Sequence, residues 1–263
     1  MAEAGQPDAN LMACYDFRSP RLFVDTPLGS GVKVGLAPPQ THYLTSVLRL
    51  DAGDTVLIFN GCDGEWKAHL ADSTRHGPTL AVDAQTRPQP TPGNLHHLFS
   101  PLKRARFDFM VQKAVEMGVS RLQPVIMRHT QAERVNLARM RANAIEAAEQ
   151  CGILCIPQVA APVVFKEAIM ALAPSRHLVF CDEDAPGADP VATLRAVLGD
   201  MGPEMPELAV VIGPEGGFAE DERATLLSRP HTIRIALGPR ILRADTAAVA
   251  ALAIVQAAIG DWR

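Results

Sequence analysis

Hydrophobic and polar positions keep one rhythm in the first third of the chain and another afterwards. From Arg21 to about Ala84, short apolar runs (RLFV, TVLIF, EWKAHLA, TLAVDA) are broken by turn-forming residues such as NGCDG. That spacing predicts the strands of a small β-barrel over residues 18–84. Within it, THYLTSVLRL sets Tyr43, Leu44, Val47 and Leu48 near helical spacing, with His42 and Arg49 left facing outward. Residues 1–17 are small and polar and read as a mobile tail.

The segment 85–94, QTRPQPTPGN, carries Pro88, Pro90 and Pro92, which the interior of a strand or helix would not tolerate, and is read as a linker. Beyond it, over residues 95–263, strands alternate with helices. Phe107, Met110, Val111 and Ala114 repeat at helical intervals and stop at Gly118, and a second helix ends at Gly152. HLVFCDE, ELAVVIG and TIRIALG are near-continuous apolar runs, as expected of parallel strands buried on both faces. An alanine-rich helix from Ala244 to Gly260 suits close packing against a neighbour or a second subunit. The pattern is that of an α/β domain with a mostly parallel sheet behind a small β-domain.

Composition narrows the function. With 263 residues, 48% hydrophobic and 21% charged, the chain has material for two packed domains. No apolar run approaches the roughly 18 residues of a membrane span, and MAEAGQPDANLMACYD lacks the regions of a signal peptide, so no membrane partner and a cytoplasmic location are expected. Cys14, Cys62, Cys151, Cys155 and Cys181 are scattered without a Cys-x-x-Cys pair, and His96 and His97 sit where they would alternate between core and surface of a strand. No metal site is expected. A formal charge of −4 argues against indiscriminate nucleic-acid binding, so any RNA must meet local basic patches.

Two strand ends carry unusual loops, IGPEGGF after Val211 and LGPRILRADTA after Ala236. Ligands of parallel α/β sheets collect at the carboxyl ends of strands, so the two loops are expected to frame one site. Neither Gly-x-Gly-x-x-Gly nor Gly-Lys-Ser/Thr is present, which argues against a dinucleotide or a phosphate cradle. A glycine-rich turn with Glu215 in it suits a cationic ligand rich in hydroxyls and amines, and S-adenosylmethionine (SAM) is such a ligand.

VIGPEGGFAEDE followed by LGPRILRADTAAVAAL resembles the paired C-terminal motifs of the bacterial 16S ribosomal RNA uridine-N3 methyltransferases of the SPOUT superfamily. PRLFVD, HYLTSVLRLDAGD, QKAVEMGV and AAEQCG resemble further segments of that family in the same order. The chain departs from its pattern at Ile153, where an arginine is usual, and in Leu242-Arg243-Ala244-Asp245-Thr246-Ala247, where Leu-Arg-Thr-Glu-Thr-Ala is usual, so that Asp245 stands for a glutamate. The resemblance implies a PUA-like barrel and a C-terminal domain tied in a trefoil knot, acting as a homodimer on small-subunit ribosomal RNA, within an assembled ribosomal particle. It also implies that Ile212, Gly213, Glu215, Gly216, Gly217, Leu237, Gly238, Ile241 and Leu242 hold SAM.

Uracil N3 is protonated at neutral pH and must lose its proton during attack, so a base or a stabilising cation is needed. Arg243 is the candidate cation, the competing reading being a salt bridge to Asp245 or Glu215. Asp245 either orients Arg243 or takes the proton. Lys103, Arg104, Arg106 and Arg240, with His42 and Arg49, are candidate RNA contacts. Two other functions are compatible with the sequence: a SPOUT methyltransferase acting on a transfer-RNA ribose, and a non-catalytic RNA-binding assembly factor.

Overall fold

The computed structural model describes residues 16, 18–74, 77–131, 134–187, 189–199, 202 and 205–262, so of the tail expected over 1–17 only Asp16 is among them. The chain divides into two compact units, Met1–Thr91 with Ala148–Cys155, and Pro92–Ala147 with Ile156–Arg263. Among the described residues no helix is long and apolar enough to cross a membrane.

In the first unit, β1 (Arg21–Phe23), β2 (Lys33–Gly35), β3 (Thr55–Phe59), β4 (Glu65–Thr74) and β5 (Gly77–Arg87) form one sheet in the order β1-β3-β4-β5-β2. Only β1 and β3 run parallel. Register shifts between β4 and β5 add curvature. The edges β1 and β2 do not pair with each other, so the expected barrel is an open, curled half-barrel. Alternate residues of its strands, Leu22, Val34, Val56, Ile58, Leu70, Leu80 and Val82, point into one core with Leu44. Leu44 comes from Tyr43–Val47, a π-helical turn that continues the short helix α1 (Pro38–His42). That turn closes with Arg49 in the left-handed region at φ 57°, while the Leu50 amide donates to the Leu44 carbonyl over 3.0 Å. Glycine usually fills such a position.

The sequence assigns Gln85, Thr86 and Arg87 to the linker, whereas they continue β5, because the buried Glu65 carboxylate holds them. It accepts from Arg21 Nε at 2.8 Å, from Arg87 Nη2 at 2.6 Å and Nε at 2.9 Å, and from Thr86 Oγ1 at 2.9 Å. Arg87 also donates to the Gly152 carbonyl over 3.0 Å, and the Phe23 amide donates to Glu149 over 2.8 Å. These bonds explain why residues 148–155 belong with the first unit.

The second unit is a three-layer α/β sandwich. Its strands are β6 (Leu95–Phe99), β7 (Arg121–Ile126), β8 (Gln158–Val159), β9 (Val163–Val164), β10 (His177–Cys181), β11 (Leu208–Ile212) and β12 (Thr232–Ile235). All pairings are parallel, in the order β12-β10-β11-β6-β7-β8, with β9 also on β7. Leu98, Val125, Leu178, Phe180, Ala209 and Val211 share one core with residues of α4 (Phe165–Met170) and α6 (Glu220–Ser228). On the opposite face, Phe99 meets Phe107 of α2 (Arg104–Glu116), and α7 (Ala244–Ile259) packs on β11, α2 and α5 (Pro190–Leu198). The helix α3 (Leu137–Cys151) follows β7.

Gly118 and Gly152 have φ of 77° and 67°, the left-handed conformation that ends α2 and α3 where the sequence places their stops. His97 is fully buried and stacks on Phe99 while His96 is half-buried, the alternation expected of neighbours in a strand. At the amino ends of the strands, buried Arg176 donates to the Asn94 and Leu208 carbonyls and to the Asn94 side chain, tying the starts of β6, β10 and β11 together.

Burial alone would raise the Glu65 pKa, but the bonds from Arg87, Arg21 and Thr86 overcome this and leave it lowered. Its stabilisation is therefore complete above the unfolded value of about 4.3 and is lost as pH falls through the lower folded value. Glu65→Gln is expected to cost about 3–5 kcal/mol at pH 7, because it leaves two guanidiniums around an uncharged amide. Urea unfolding at pH 7 and at pH 3 checks this: the gap between variant and wild type should narrow in acid, and a pH-independent gap contradicts the assignment.

Candidate functional site

Parallel pairing sets the carboxyl ends of β12, β10 and β11 side by side, and three loops leave that edge. Gly213–Phe218 follows β11, Ala236–Arg243 follows β12, and Asp182–Asp184 follows β10. Between them lies a cavity of about 410 Å³, within the usual range for small-molecule sites. Of the residues expected to hold a cofactor, Ile212, Gly213, Glu215, Gly217, Leu237, Gly238, Ile241 and Leu242 line it, and Arg240 lines it too.

The glycines have separate causes. At Gly213 a Cβ would stand 2.8 Å from the Phe218 ring, so the close approach of that ring requires glycine. Gly217 and Gly238 have φ of 72° and 94°, and a Cβ at Gly238 would meet nothing within 4 Å. The Gly217 amide closes a turn onto the Pro214 carbonyl over 2.9 Å, and the His129 ring bonds its carbonyl at 3.1 Å. Gly216 lies between Glu215 and Gly217, which line the cavity, and a Cβ there would stand 3.0 Å from His129 Cβ. Its glycine serves packing against the loop after β7. Glu222 fixes the far end of this loop, accepting from the amides of Ala219 and Arg128 at 2.9 Å each.

The third wall went unread in the sequence. Cys181, Asp182, Glu183 and Asp184 all line the cavity. Asp182 is buried and accepts from Arg223 Nη2 on α6 at 3.0 Å, from Arg234 Nε on β12, and from the Asp184 amide at 3.1 Å. Burial would raise its pKa, but the bonds from Arg223 and Arg234 outweigh it and keep the carboxyl ionised. One carboxylate thus ties the strand before one glycine loop to the helix behind the other. Burial pushes the Cys181 thiol up to about 12, so it stays protonated and inert. The signal available in the sequence was the run of three acids, Asp182 to Asp184, directly behind the apolar run HLVFC.

The lining has two characters. Ile212, Phe218, Leu237, Leu242, Ala244 and Ala247 are apolar, while Glu183, Asp184, Glu215 and Glu220 place acids at its exposed rim. An apolar, acid-rimmed site with exposed backbone suits a cationic nucleoside and not an anion. Arg243 stands between cavity-lining Leu242 and Ala244, does not line the cavity itself, and is exposed. No ion pair joins it to Asp245 or Glu215. Asp245 is half-buried in the first turn of α7, and its Oδ1 accepts from the Thr246 amide over 3.0 Å.

Among the candidate RNA contacts, Lys103 and Arg104 are exposed and Arg106 is half-buried at the start of α2, directly after β6. No acid occupies that first turn. Cations there oppose the helix dipole, an arrangement stability alone does not favour. His42 and Arg49 are both exposed in the first unit.

Asp182→Ala should loosen all three loops at once. It is expected to cost about 3–5 kcal/mol, the scale for removing one member of a buried charged cluster. Hydrogen exchange should show faster amide exchange at Gly213–Phe218 and Ala236–Arg243 than in Glu220→Ala, and protection unchanged at both loops would refute the tie.

Comparisons with known proteins agree with this geometry. A family-wide profile described as the RNA methyltransferase domain matches residues 89–256, and one described as the RNA methyltransferase PUA domain matches residues 36–83. The chain is similar to the ribosomal RNA small subunit methyltransferase E of Rickettsia conorii, 28% identical over 237 residues, spanning 90% of this chain and 94% of that protein. It is similar in structure to the ribosomal RNA small subunit methyltransferase E of Neisseria gonorrhoeae solved with SAM bound, with a TM-score of 0.81, 27% identity, and 94% and 100% of the two chains covered. A methyltransferase of Legionella pneumophila, also solved with SAM, superposes with a TM-score of 0.78 at 25% identity over 92% of this chain and 98% of that one. With a matching domain that spans more than half its length and encloses the whole cavity, the chain belongs to the RNA methyltransferase family.

Proposed function

We propose that this protein methylates N3 of a uridine in 16S ribosomal RNA, using SAM, on an assembled small-subunit particle in the cytoplasm. The observation that carries the reading is the acid-rimmed cavity framed by two glycine loops, in a chain whose relatives are named small-subunit ribosomal RNA methyltransferases. Ile212, Leu237 and Leu242 supply apolar contacts for an adenosine, and the backbone at Gly213 and Gly238 offers close approach. Glu215 and Glu183 set negative charge toward a cationic ligand. When bound, SAM supplies an electrophilic methyl group on sulfur.

The chain's own task is to place the acceptor and carry its charge. Loss of the N3 proton spreads negative charge onto the flanking carbonyl oxygens, and the planar fork of Arg243 is shaped to donate to two acceptors there. Its exposure and its lack of a partner carboxylate at Asp245 or Glu215 support this role over a structural salt bridge. Asp245 keeps one carboxylate oxygen on the Thr246 amide, and the other is left to orient Arg243 or accept the proton. Arg240, Lys103, Arg104 and Arg106 hold phosphates, with His42 and Arg49 as contacts from the first unit. An arginine at the left-handed position 49, where glycine costs less, supports that assignment.

The proposal includes a trefoil knot and a homodimer. The first rests on the match of residues 89–256 to the RNA methyltransferase domain. The face of α7 formed by Val249, Ala253, Ile254 and Ala257 is only half-buried within the protomer, which supports the second.

Small subunits treated with enzyme and SAM, digested and analysed by mass spectrometry, should contain 3-methyluridine. Methyl on a ribose oxygen, or no transfer, would overturn the reading. Arg243→Ala should keep SAM affinity within a few-fold while slowing single-turnover transfer by about 10²-fold or more, the scale of losing one charge-stabilising donor. An unchanged rate in folded protein removes Arg243 from the chemistry.

A further inference from the structure

We propose that the exposed ring of Phe109 on α2 is a stacking platform for an unpaired base of the RNA, a role that rests on the reading of the protein as an RNA methyltransferase. The helix already has a complete buried stripe in Phe107, Met110, Val111, Ala114 and Val115, yet Phe109 stands 46% exposed on the outer side. With Lys113 over the ring and no core for it to fill, Phe109 has an exposed aromatic surface to offer to a base.

Its surroundings are cationic. Arg106 lies one turn before it and Lys113 one turn after, on the same helix face. Lys113 Nζ is 5.5 Å from the ring centroid and also bonds Glu116 at 2.7 and 2.8 Å. Lys103 and Arg104 are exposed at the start of the helix. The neighbouring acid is turned away: Asp108 is held by Arg139 at 3.0 and 2.5 Å and by Asn143 at 2.7 Å, which lowers its pKa. The ring therefore lies beyond the cations Lys103, Arg104 and Arg106, with Asp108 engaged by Arg139 and Glu116 engaged by Lys113.

An aromatic face beside cations that follow a sugar-phosphate backbone is the usual chemistry of single-stranded nucleic-acid binding, because every base has a stackable face. The helix also starts at the right edge of the sheet. Helix α2 leaves the carboxyl end of β6, which pairs with β11, the strand that delivers Gly213 to the cavity. A second copy of this chain would fit poorly over a ring bordered by this many cations.

The test uses the full-length protein, a short labelled unstructured RNA read by fluorescence anisotropy, and methyl transfer to small subunits. Phe109→Ala should weaken RNA binding about tenfold, in line with the loss of one base stack. It should raise KM for subunits while leaving kcat within about twofold, because it touches neither cofactor nor reacting atoms. Phe109→Trp should bind like the wild type, and Phe109→Leu, which keeps an apolar side chain without a π face, should behave like Phe109→Ala. Wild-type affinity in Phe109→Ala or Phe109→Leu would overturn the proposal, as would a changed oligomeric state in sedimentation without any change in RNA affinity. Anisotropy needs no methyl transfer, so a wild type that binds RNA without methylating it contradicts the enzymatic reading and leaves the stacking result standing.

Discussion

The site depends on one buried carboxylate. Three parallel strands can place three loops at a common edge, but their register does not fix how the loops face each other. Asp182 does, by holding Arg223 on the helix behind one glycine loop and Arg234 on the strand before the other. A buried carboxylate between two guanidiniums is costly to assemble and costlier to break, so it behaves as a rigid joint. The glycines then act locally: Gly213 lets the Phe218 ring close over the loop base, and Gly217 and Gly238 supply backbone conformations that other residues resist.

The sequence was informative where one physical rule decided the outcome. Apolar runs of five residues placed β10 and β11, because strands buried on both faces need unbroken hydrophobicity, whereas β12 at the sheet edge alternates buried Ile233 and Ile235 with half-buried Thr232 and Arg234. Gly118 and Gly152 marked helix ends because left-handed closure favours glycine. It misled where distant partners decided. Gln85, Thr86 and Arg87 read as linker, and Glu65 recruits them into a strand. Asp182 escaped notice because an acid behind a strand looks like a solvated turn, and its two arginines lie 41 and 52 residues away. The affiliation of residues 148–155 with the first unit likewise rests on hydrogen bonds from Phe23 and Arg87 that no local pattern announces.

Charge is divided in a way that the net value of −4 conceals. The cavity rim is acidic, which suits a cationic cofactor, while cations are concentrated at the start of α2 and at Arg240 and Arg243. A protein with this division attracts RNA only along limited tracks, which favours one docking geometry over indiscriminate association.

The central claim is that the cavity bounded by Asp182, Gly213 and Leu242 is a SAM site. The most direct test is calorimetric titration of SAM into the wild type and into Ala247→Phe, which fills the cavity from α7. One SAM per chain for the wild type, with binding abolished in a variant that keeps its melting temperature, is the predicted result. Equal binding by the two proteins, or none by the wild type, would contradict it.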